Sequence, residues 1–317
     1  MRASIILTSA LFAISGIAVE ADTISDPVLE GAIDIHIHSE ADMLRWGGSS
    51  LDEFELARKA KMKGMRAIVI KPAYFETVTR AYLANKAIPG IDVFGGIVLT
   101  HPVGGMNPAA IHALGGLAGP KNKFVWMPHV DAENHLKFFK RDKPPVLISK
   151  SGALLPETLA VLDAMAKYDM ILGTGHVSAD EGLMLVRAAR ERNLNVVVTH
   201  ALKDPINMTI EQMKEVAELG GFIELSVIGI FLGEGSHLQE HFYRMQKKFS
   251  IEDYAERIKA VGANQIIVSS DLGQFFNPTP PDGMKAFVNG LKKFDVTDAE
   301  IDLMIRTNPA RLLGLEG

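Results

Sequence analysis

The stretch Ala32-Ile33-Asp34-Ile35-His36-Ile37-His38 decides the fold. Its apolar and polar residues alternate with the period of two of a β-strand. That period sends Ile33, Ile35 and Ile37 to one face, where helices would cover them, and Asp34, His36 and His38 to the other, into a barrel. Two imidazoles spaced i, i+2 at the end of a strand can bind one metal ion from the same side. Alone the signal is weak, because with ten His in the chain roughly 0.3 His-x-His pairs arise by chance.

Working outward, seven more β-branched runs follow, at 66–71, 93–100, 124–127, 170–174, 195–200, 222–227 and 265–270. Amphipathic helical stretches separate them, and strands that alternate with helices make a parallel sheet. Eight strands spaced roughly 33 residues apart predict a (β/α)8 TIM barrel, an α/β fold, as one domain over residues 22–317. Ser/Thr-x-x-Glu/Gln boxes mark helix starts at Ser50/Glu53, Ser178/Glu181, Thr209/Gln212 and Thr297/Glu300. Ile251, Tyr254, Ile258 and Val261 form one stripe that can pack on a sheet. Two longer excursions are expected to roof the pocket from C-terminal strand ends: 129–154, with a hairpin around Ser151-Gly152, and 228–249. Lys137, Lys140, Arg141 and Lys143 in the first read as a solvated face.

The 317 residues are 47% hydrophobic and 22% charged, the composition of a globular protein. A net charge of −5 argues against nucleic-acid or anionic-membrane partners, which need a basic surface. With no Cys there are no disulfides, thiolate nucleophiles or Cys-bound zinc, so any metal must sit on His, carboxylate or modified Lys. Arg2, the uncharged apolar run 3–19 and the small residues Val19 and Ala21 match a secretory signal peptide ending at Ala21, although an uncleaved anchor helix would read similarly. The expected location is therefore periplasmic or secreted, with no stable membrane association after cleavage.

Ionisable residues recur where other strands end. His176 follows Met170-Ile171-Leu172-Gly173-Thr174-Gly175, His200 closes Val196-Val197-Val198-Thr199, and Asp271 closes Ile266-Ile267-Val268-Ser269-Ser270. Barrel active sites are assembled at those C-terminal ends. Each residue singly is as well explained by a core hydrogen bond or a helix cap; five at once are not.

This constellation resembles the amidohydrolase superfamily of metal-dependent hydrolases. The ending Thr307-Asn308-Pro309-Ala310-Arg311-Leu312-Leu313-Gly314-Leu315 is similar to that superfamily's closing helix. The stretches from Gly95-Gly96-Ile97-Val98-Leu99 to Gly104-Gly105-Met106-Asn107-Pro108, Val125-Trp126-Met127-Pro128 and Ser269-Ser270-Asp271-Leu272-Gly273-Gln274 resemble a functionally unassigned branch of it. The resemblance implies that His36, His38, His176 and His200 are metal ligands, with Asp271 ligating or beside the activated water. It departs at strand four, where two-metal members carry a bridging carboxylated Lys or Glu and this chain has His129. Either one ion is held, or the bridge comes from elsewhere; Lys71, ending strand two, can serve after carbamate formation, or act as a cation toward a substrate carboxylate. His101, His129, Tyr74 and Phe275 are candidate pocket residues, with Phe75 and Phe276 also able to make an apolar wall. His112 reads as a surface residue, His135, His237 and His241 default to solvent, and Glu224 fits a buried polar contact as well as a catalytic role.

The expected activity is that of a metal-dependent hydrolase that cleaves an amide, ester or lactone of a small molecule. Asp271 is the expected general base, with His200 beside it, and the cofactor is a divalent ion, zinc being the first choice, one ion or two. A phosphoester fits less well, because no Arg cluster or phosphate-cradling Gly loop sits at a strand end. The alternatives are a metal-dependent decarboxylase, with Lys71 or Lys203 holding the carboxylate, and a non-catalytic exported binding protein stabilised by metal. A homo-oligomer is compatible with the sequence.

Overall fold

In the computed structural model of the chain, which describes residues 25–39, 48–120, 122–238 and 240–315, all eight expected strands form. They are β1 (Ile33–Ile37), β2 (Ala67–Ile70), β3 (Asp92–Val98), β4 (Phe124–Trp126), β5 (Ile171–Gly173), β6 (Val196–Val198), β7 (Phe222–Ser226) and β8 (Ile266–Ser269). Each pairs in parallel with the next in chain order, making one eight-stranded sheet. The sheet closes at its C-terminal rim: Ile37 bridges Leu272, the His38 N–H donates to the Leu272 carbonyl at 2.8 Å, and the Asp271 N–H donates to the His36 carbonyl at 2.8 Å. The architecture is a (β/α)8 barrel, and its seam runs through the backbone of the candidate site. The segment expected to be removed on export, 1–21, lies outside the described residues.

Between the strands run α1 (Glu53–Met62), α2 (Val78–Ala87), α3 (Pro108–Gly115), α4 (Glu133–Phe138), α5 (Pro156–Ala166), α6 (Ala179–Arg190), α7 (Ile210–Glu218) and α8 (Ile251–Val261), and α9 (Pro280–Lys292) follows β8. Three of the predicted capping boxes form, those of Ser178, Thr209 and Thr297. The fourth is displaced: α1 is capped by Asp52 with Glu55, not by Ser50 with Glu53. Glu53 turns inward instead, where its carboxylate accepts from Ser39 and pairs with Arg80. A box not read from the sequence forms at α8, where Asp253 takes the place of Glu at the third position after Ser250. In the stripe on α8, Tyr254 and Ile258 are buried, and the Tyr254 hydroxyl donates to the Ser226 carbonyl at 2.7 Å, tying helix to strand end.

The barrel interior is filled by Ile33, Ile35, Ala67, Val69, Phe94, Val98, Phe124, Trp126, Ile171, Val197, Phe222 and Ile267. This corrects the reading of β1. Ile33 and Ile35 point into the barrel, not toward the helices, and Asp34 lies on the outer face with its partner Ile68. The register of β1 against β2 slips between Asp34 and Ile37, the mark of a bulge, and one extra residue reverses the alternation. Beyond it Ile37 packs outward, while His36 and His38 face inward as expected. Asp34 holds the bulge, its Oδ1 accepting from the His36 N–H at 3.1 Å and the Ser270 N–H at 3.0 Å.

At the opposite end the chain closes on itself. After a short helix (Asp298–Asp302) and one π turn (Leu303–Thr307), the helix Asn308–Leu313 adds Ala310, Leu312 and Leu313 to the interior cluster. The buried Asn308 amide donates to the carbonyls of Ala263 at 2.8 Å and Ile266 at 2.7 Å, which pins this plug to the start of β8. The first excursion holds α4 and a hairpin, Ser149–Lys150 with Ala153–Leu154, that turns at Ser151 and Gly152 as expected. No helix among the described residues is long and apolar enough to cross a membrane.

Candidate metal centre

His36 and His38 end β1, His129 follows β4, His176 follows β5, His200 follows β6, and Asp271 follows β8. All six are buried. His200 and Asp271 take left-handed backbone conformations, with φ of 31° and 52°. Such conformations are uncommon outside glycine, and at functional positions they re-aim a side chain at the strand end. Gly273 makes the seam possible. Its φ is +133°, and a Cβ there would come within 2.1 Å of the His38 carbonyl oxygen.

Three of these side chains converge on one point. His36 Nε2 lies 3.3 Å from His38 Nε2 and 3.2 Å from Asp271 Oδ1, and His38 Nε2 lies 3.1 Å from Asp271 Oδ1. Two ligands about 2.0–2.1 Å from a tetrahedral zinc ion stand about 3.3 Å apart, so this near-equilateral triangle has the dimensions of one face of a coordination shell. A proton could relieve one pair of facing acceptors; three acceptors closing on a common point match a metal ion. The layer below fixes the orientation. His36 Nδ1 donates to Glu224 Oε1 at 2.8 Å, which leaves Nε2 facing the other two donors, and Glu224 is itself held by the Ser269 hydroxyl and, at 2.7 Å, by the His200 N–H. This is the outer-sphere carboxylate that ligating imidazoles ordinarily have.

The other imidazoles gather beside the triangle. His176 Nε2 is 3.0 Å from His200 Nε2, the His129 and His176 ring centres are 3.6 Å apart, and ligand atoms of all three lie within 4.8 Å of one another. His176 Nδ1 meets His135 Nδ1 at 2.6 Å with the rings nearly parallel. His135 was expected in solvent; it is buried at 3% exposure, because α4 turns its inner face onto the site.

Burial pushes the His38 imidazole down to about 4 and holds His129, His176 and His200 well below the usual range. These rings are therefore neutral near pH 7, the form that ligates. Burial alone would raise the Asp271 carboxyl, but the electrostatic pull of His36 and Lys203 and the His38 hydrogen bond outweigh it and hold Asp271 well below the usual carboxylate range. Lys203 Nζ donates to Asp271 Oδ2 at 2.8 Å, both groups being buried. Lys71 is buried as well, its Nζ 5.7 Å from the centre of the Trp126 ring.

A cavity of about 30 Å³ adjoins this cluster, with His38, His129, Lys203 and Asp271 in its wall and Ile228, Phe242 and Tyr243 from the second excursion above it. Of the residues expected in the pocket, His129 lines it. Tyr74 and Phe275 do not; their neighbours Ala73 and Gln274 do, and Phe275 turns outward with Phe75 and Phe276 to stand exposed. His101 is exposed, its Nε2 against the Pro144 carbonyl at 2.9 Å, because the turn after β3 carries it off the rim. His112, His237 and His241 are at the surface as expected. Lys137, Lys140 and Arg141 are solvated, while Lys143 pairs with Asp131. The contributions of His135, the Lys203–Asp271 pair and Gln274 were not read from sequence, since helices and turns carry no alternation that tells the inward residue.

Residues 31–224 match the model of a family described as of unknown function, DUF6282. No curated protein matches the chain in sequence. Among solved structures, the chain is similar to an amidohydrolase from Pseudomonas aeruginosa, with a TM-score of 0.58 and 14% identity over 90% of this chain and 96% of that one. It is similar also to a probable 2-pyrone-4,6-dicarboxylic acid hydrolase from Acinetobacter baumannii with citric acid bound, with a TM-score of 0.54 and 18% identity over 90% and 99%. A third is a mutant organophosphorus hydrolase from Deinococcus radiodurans, with a TM-score of 0.53 and 16% identity over 90% and 93%. At these identities the likeness is one of fold, and the fold is the one that the amidohydrolase resemblance implied.

Proposed function

The chain belongs to DUF6282, a family of unknown function, and from its barrel, shared with amidohydrolases, and its buried imidazole and carboxylate cluster we propose that it is a metal-dependent hydrolase that cleaves an amide, ester or lactone bond of a small molecule. The observation that carries the reading is the triangle of His36, His38 and Asp271, with edges of 3.1–3.3 Å, buried at the C-terminal rim of the barrel. His36, His38 and Asp271 would hold a divalent ion, with His176 and His200 beside them. Zinc is our choice, because it takes imidazole and carboxylate together in tetrahedral sets. The chemistry such an ion would supply is to lower the pKa of water toward neutrality and to polarise a carbonyl oxygen.

The chain supplies the rest. Asp271 accepts the proton of the attacking water and returns it to the leaving oxygen or nitrogen. Lys203, at 2.8 Å, keeps that carboxylate ionised and fixed in orientation. Glu224 holds His36 in the tautomer that exposes Nε2. Ile228, Phe242 and Tyr243 exclude bulk water above the cavity. The solved relatives named for hydrolysis of a pyrone and of organophosphorus compounds support water as the nucleophile, and the pyrone makes lactones the first substrates to try.

A panel of lactones, esters and amides, assayed with and without a chelator, tests the proposal. Hydrolysis of at least one that stops on chelation and returns with zinc is expected; hydrolysis indifferent to chelation would overturn it. We further propose that the chain is exported with cleavage after Ala21, motivated by the apolar run and its small-residue exit. The mature protein in the native host should then begin at Asp22, and an intact Met1 there would contradict it.

A further inference from the structure

We propose that Phe75, Phe275 and Phe276 form an apolar subsite beside the cavity that receives a hydrocarbon tail, so that the substrate is a lactone or ester bearing an alkyl or aryl substituent of several carbons. The inference rests on the hydrolase reading above and names its substrate class.

The cavity sets the requirement. Its volume, about 30 Å³, is a tenth or less of the ~300–1,000 Å³ of a pocket that encloses a small molecule. The body of any substrate therefore lies outside it, against the loops at its edge. Two of these loops, after β2 and after β8, border the cavity through Ala73 and Gln274. Phe75 stands two residues beyond Ala73, and Phe275 and Phe276 directly follow Gln274. The three are 55%, 45% and 77% exposed, and no other phenylalanine among the described residues is exposed. β2 and β8 are the two neighbours of β1 in the closed barrel, so their ends stand roughly 10 Å apart. A chain of several carbons that leaves the cavity between those ends meets aromatic rings on either side.

A single exposed apolar side chain is ordinary, but the pair after β8 is held in the open. Phe276 has φ +70°, a conformation that strains a bulky residue and persists only where the surroundings impose it. The surroundings here are two buried amides. Gln274 Nε2 donates to the Asp271 carbonyl at 2.9 Å, Asn277 Nδ2 donates to Gln274 Oε1 at 2.9 Å, and His237 Nε2 donates to Asn277 Oδ1 at 2.8 Å. The Phe275 N–H donates to the Gly48 carbonyl at 3.0 Å, and the two phenylalanine rings meet edge to face with centres 4.2 Å apart. Gln274 and Asn277 thus close the turn, and the strain between them serves to keep two phenylalanines outside. A turn that needed only to close would carry Gly or Asn at such a φ. Because the brace starts at the Asp271 carbonyl, the apolar wall is fixed in position relative to the proposed base.

Two series of small molecules test this. In the first, zinc-loaded protein is titrated calorimetrically with cyclopentanone and its 2-alkyl derivatives up to heptyl, which carry a ring carbonyl but no bond to hydrolyse. Affinity should rise roughly two- to fourfold per methylene, and Phe275→Ser and Phe276→Ser should each flatten the rise. Leu83→Ser, which removes an exposed apolar side chain from α2, should leave it unchanged. Phe276→Gly separates binding from folding, because glycine accepts the positive φ. It should lose the rise in affinity while its urea midpoint stays at or above that of wild type. No affinity for the heptyl ketone, affinity independent of chain length, a rise that survives both serine substitutions, or a lower midpoint in Phe276→Gly would overturn the proposal. Chain-length independence together with a dimer that Phe276→Ser dissociates would assign the face to a second copy of the chain instead. In the second series, γ-lactones from γ-butyrolactone to γ-undecalactone, kcat/KM should climb with tail length. Lactones cleaved at rates indifferent to the tail would remove the subsite and leave the hydrolase reading. A ketone series that behaves as expected, with no lactone or ester cleaved, would remove the hydrolase reading and leave the apolar subsite.

Discussion

Asp271 is engaged on both sides: Oδ1 faces the imidazoles of His36 and His38, and Oδ2 accepts from Lys203. A carboxylate so held is a fixed base, and its removal separates proton transfer from ligation. Asp271→Asn keeps the size and one oxygen ligand, so turnover on a substrate from the panel should drop by ~10²–10⁴. A variant that keeps more than about a tenth of wild-type turnover would make Asp271 a ligand only. Glu224 belongs to the layer beneath. Glu224→Gln should weaken zinc binding by ~10–100-fold in a competition titration, because the amide no longer fixes the His36 tautomer; unchanged affinity would reduce Glu224 to core packing. At this scale His36, His38, His176, His200 and Asp271 were legible because each closes a β-branched run. Glu224 was half legible, a polar residue inside such a run. His135 was not, and Lys203 was read only as a holder of a substrate carboxylate and not as the partner of Asp271, since their reach into the site depends on how α4 and the turn after β6 pack.

Among the elements, the eight strands were legible from short apolar runs alone, yet the facing of β1 was not. Strict alternation assigned Ile33 and Ile35 outward, and the bulge at Asp34 to Ile37 reverses them while keeping His36 and His38 inward. A bulge leaves no trace in a hydrophobic pattern; its sign here is a buried Asp that caps two backbone N–H groups. Helix starts were legible through their boxes at Ser178, Thr209 and Thr297, but not at α1, where Asp52 and not Ser50 is the cap, nor at α8, where Asp substitutes for Glu. There Asp253 Oδ2 accepts from the Ser250 N–H at 2.7 Å and its hydroxyl at 2.8 Å, and the backbone bond first, then the hydroxyl, lower the Asp253 carboxyl below its usual value. A carboxyl with a depressed folded-state pKa contributes stability above its unfolded value, near 3.8, and loses it as pH falls through the folded one. Asp253→Ala should therefore cost about 0.5–1 kcal/mol in urea unfolding at pH 7. The difference from wild type should fade on going to pH 3; a gap that stays constant with pH would show that the cap is not the source.

For the whole molecule, the barrel explains why residues 36, 38, 129, 176, 200 and 271 meet. Each closes or follows a strand, all strands run the same way, and closure brings the first and last together at the Ile37–Leu272 bridge. The same closure plugs the far end of the interior with Ala310, Leu312 and Leu313, while the rim that carries the imidazoles keeps a cavity. The cavity there, about 30 Å³, has room for water rather than for substrate, which makes the ions, not a bound molecule, the first thing to measure. The most direct measurement is the metal content per chain of purified wild type and His36→Ala by elemental analysis, with the far-UV spectrum as a control on folding. At least one equivalent of a divalent ion in the wild type, lowered in natively folded His36→Ala, is the expected result. Metal content unaltered by the substitution, or a wild type that retains no divalent ion after incubation with zinc, would contradict the account.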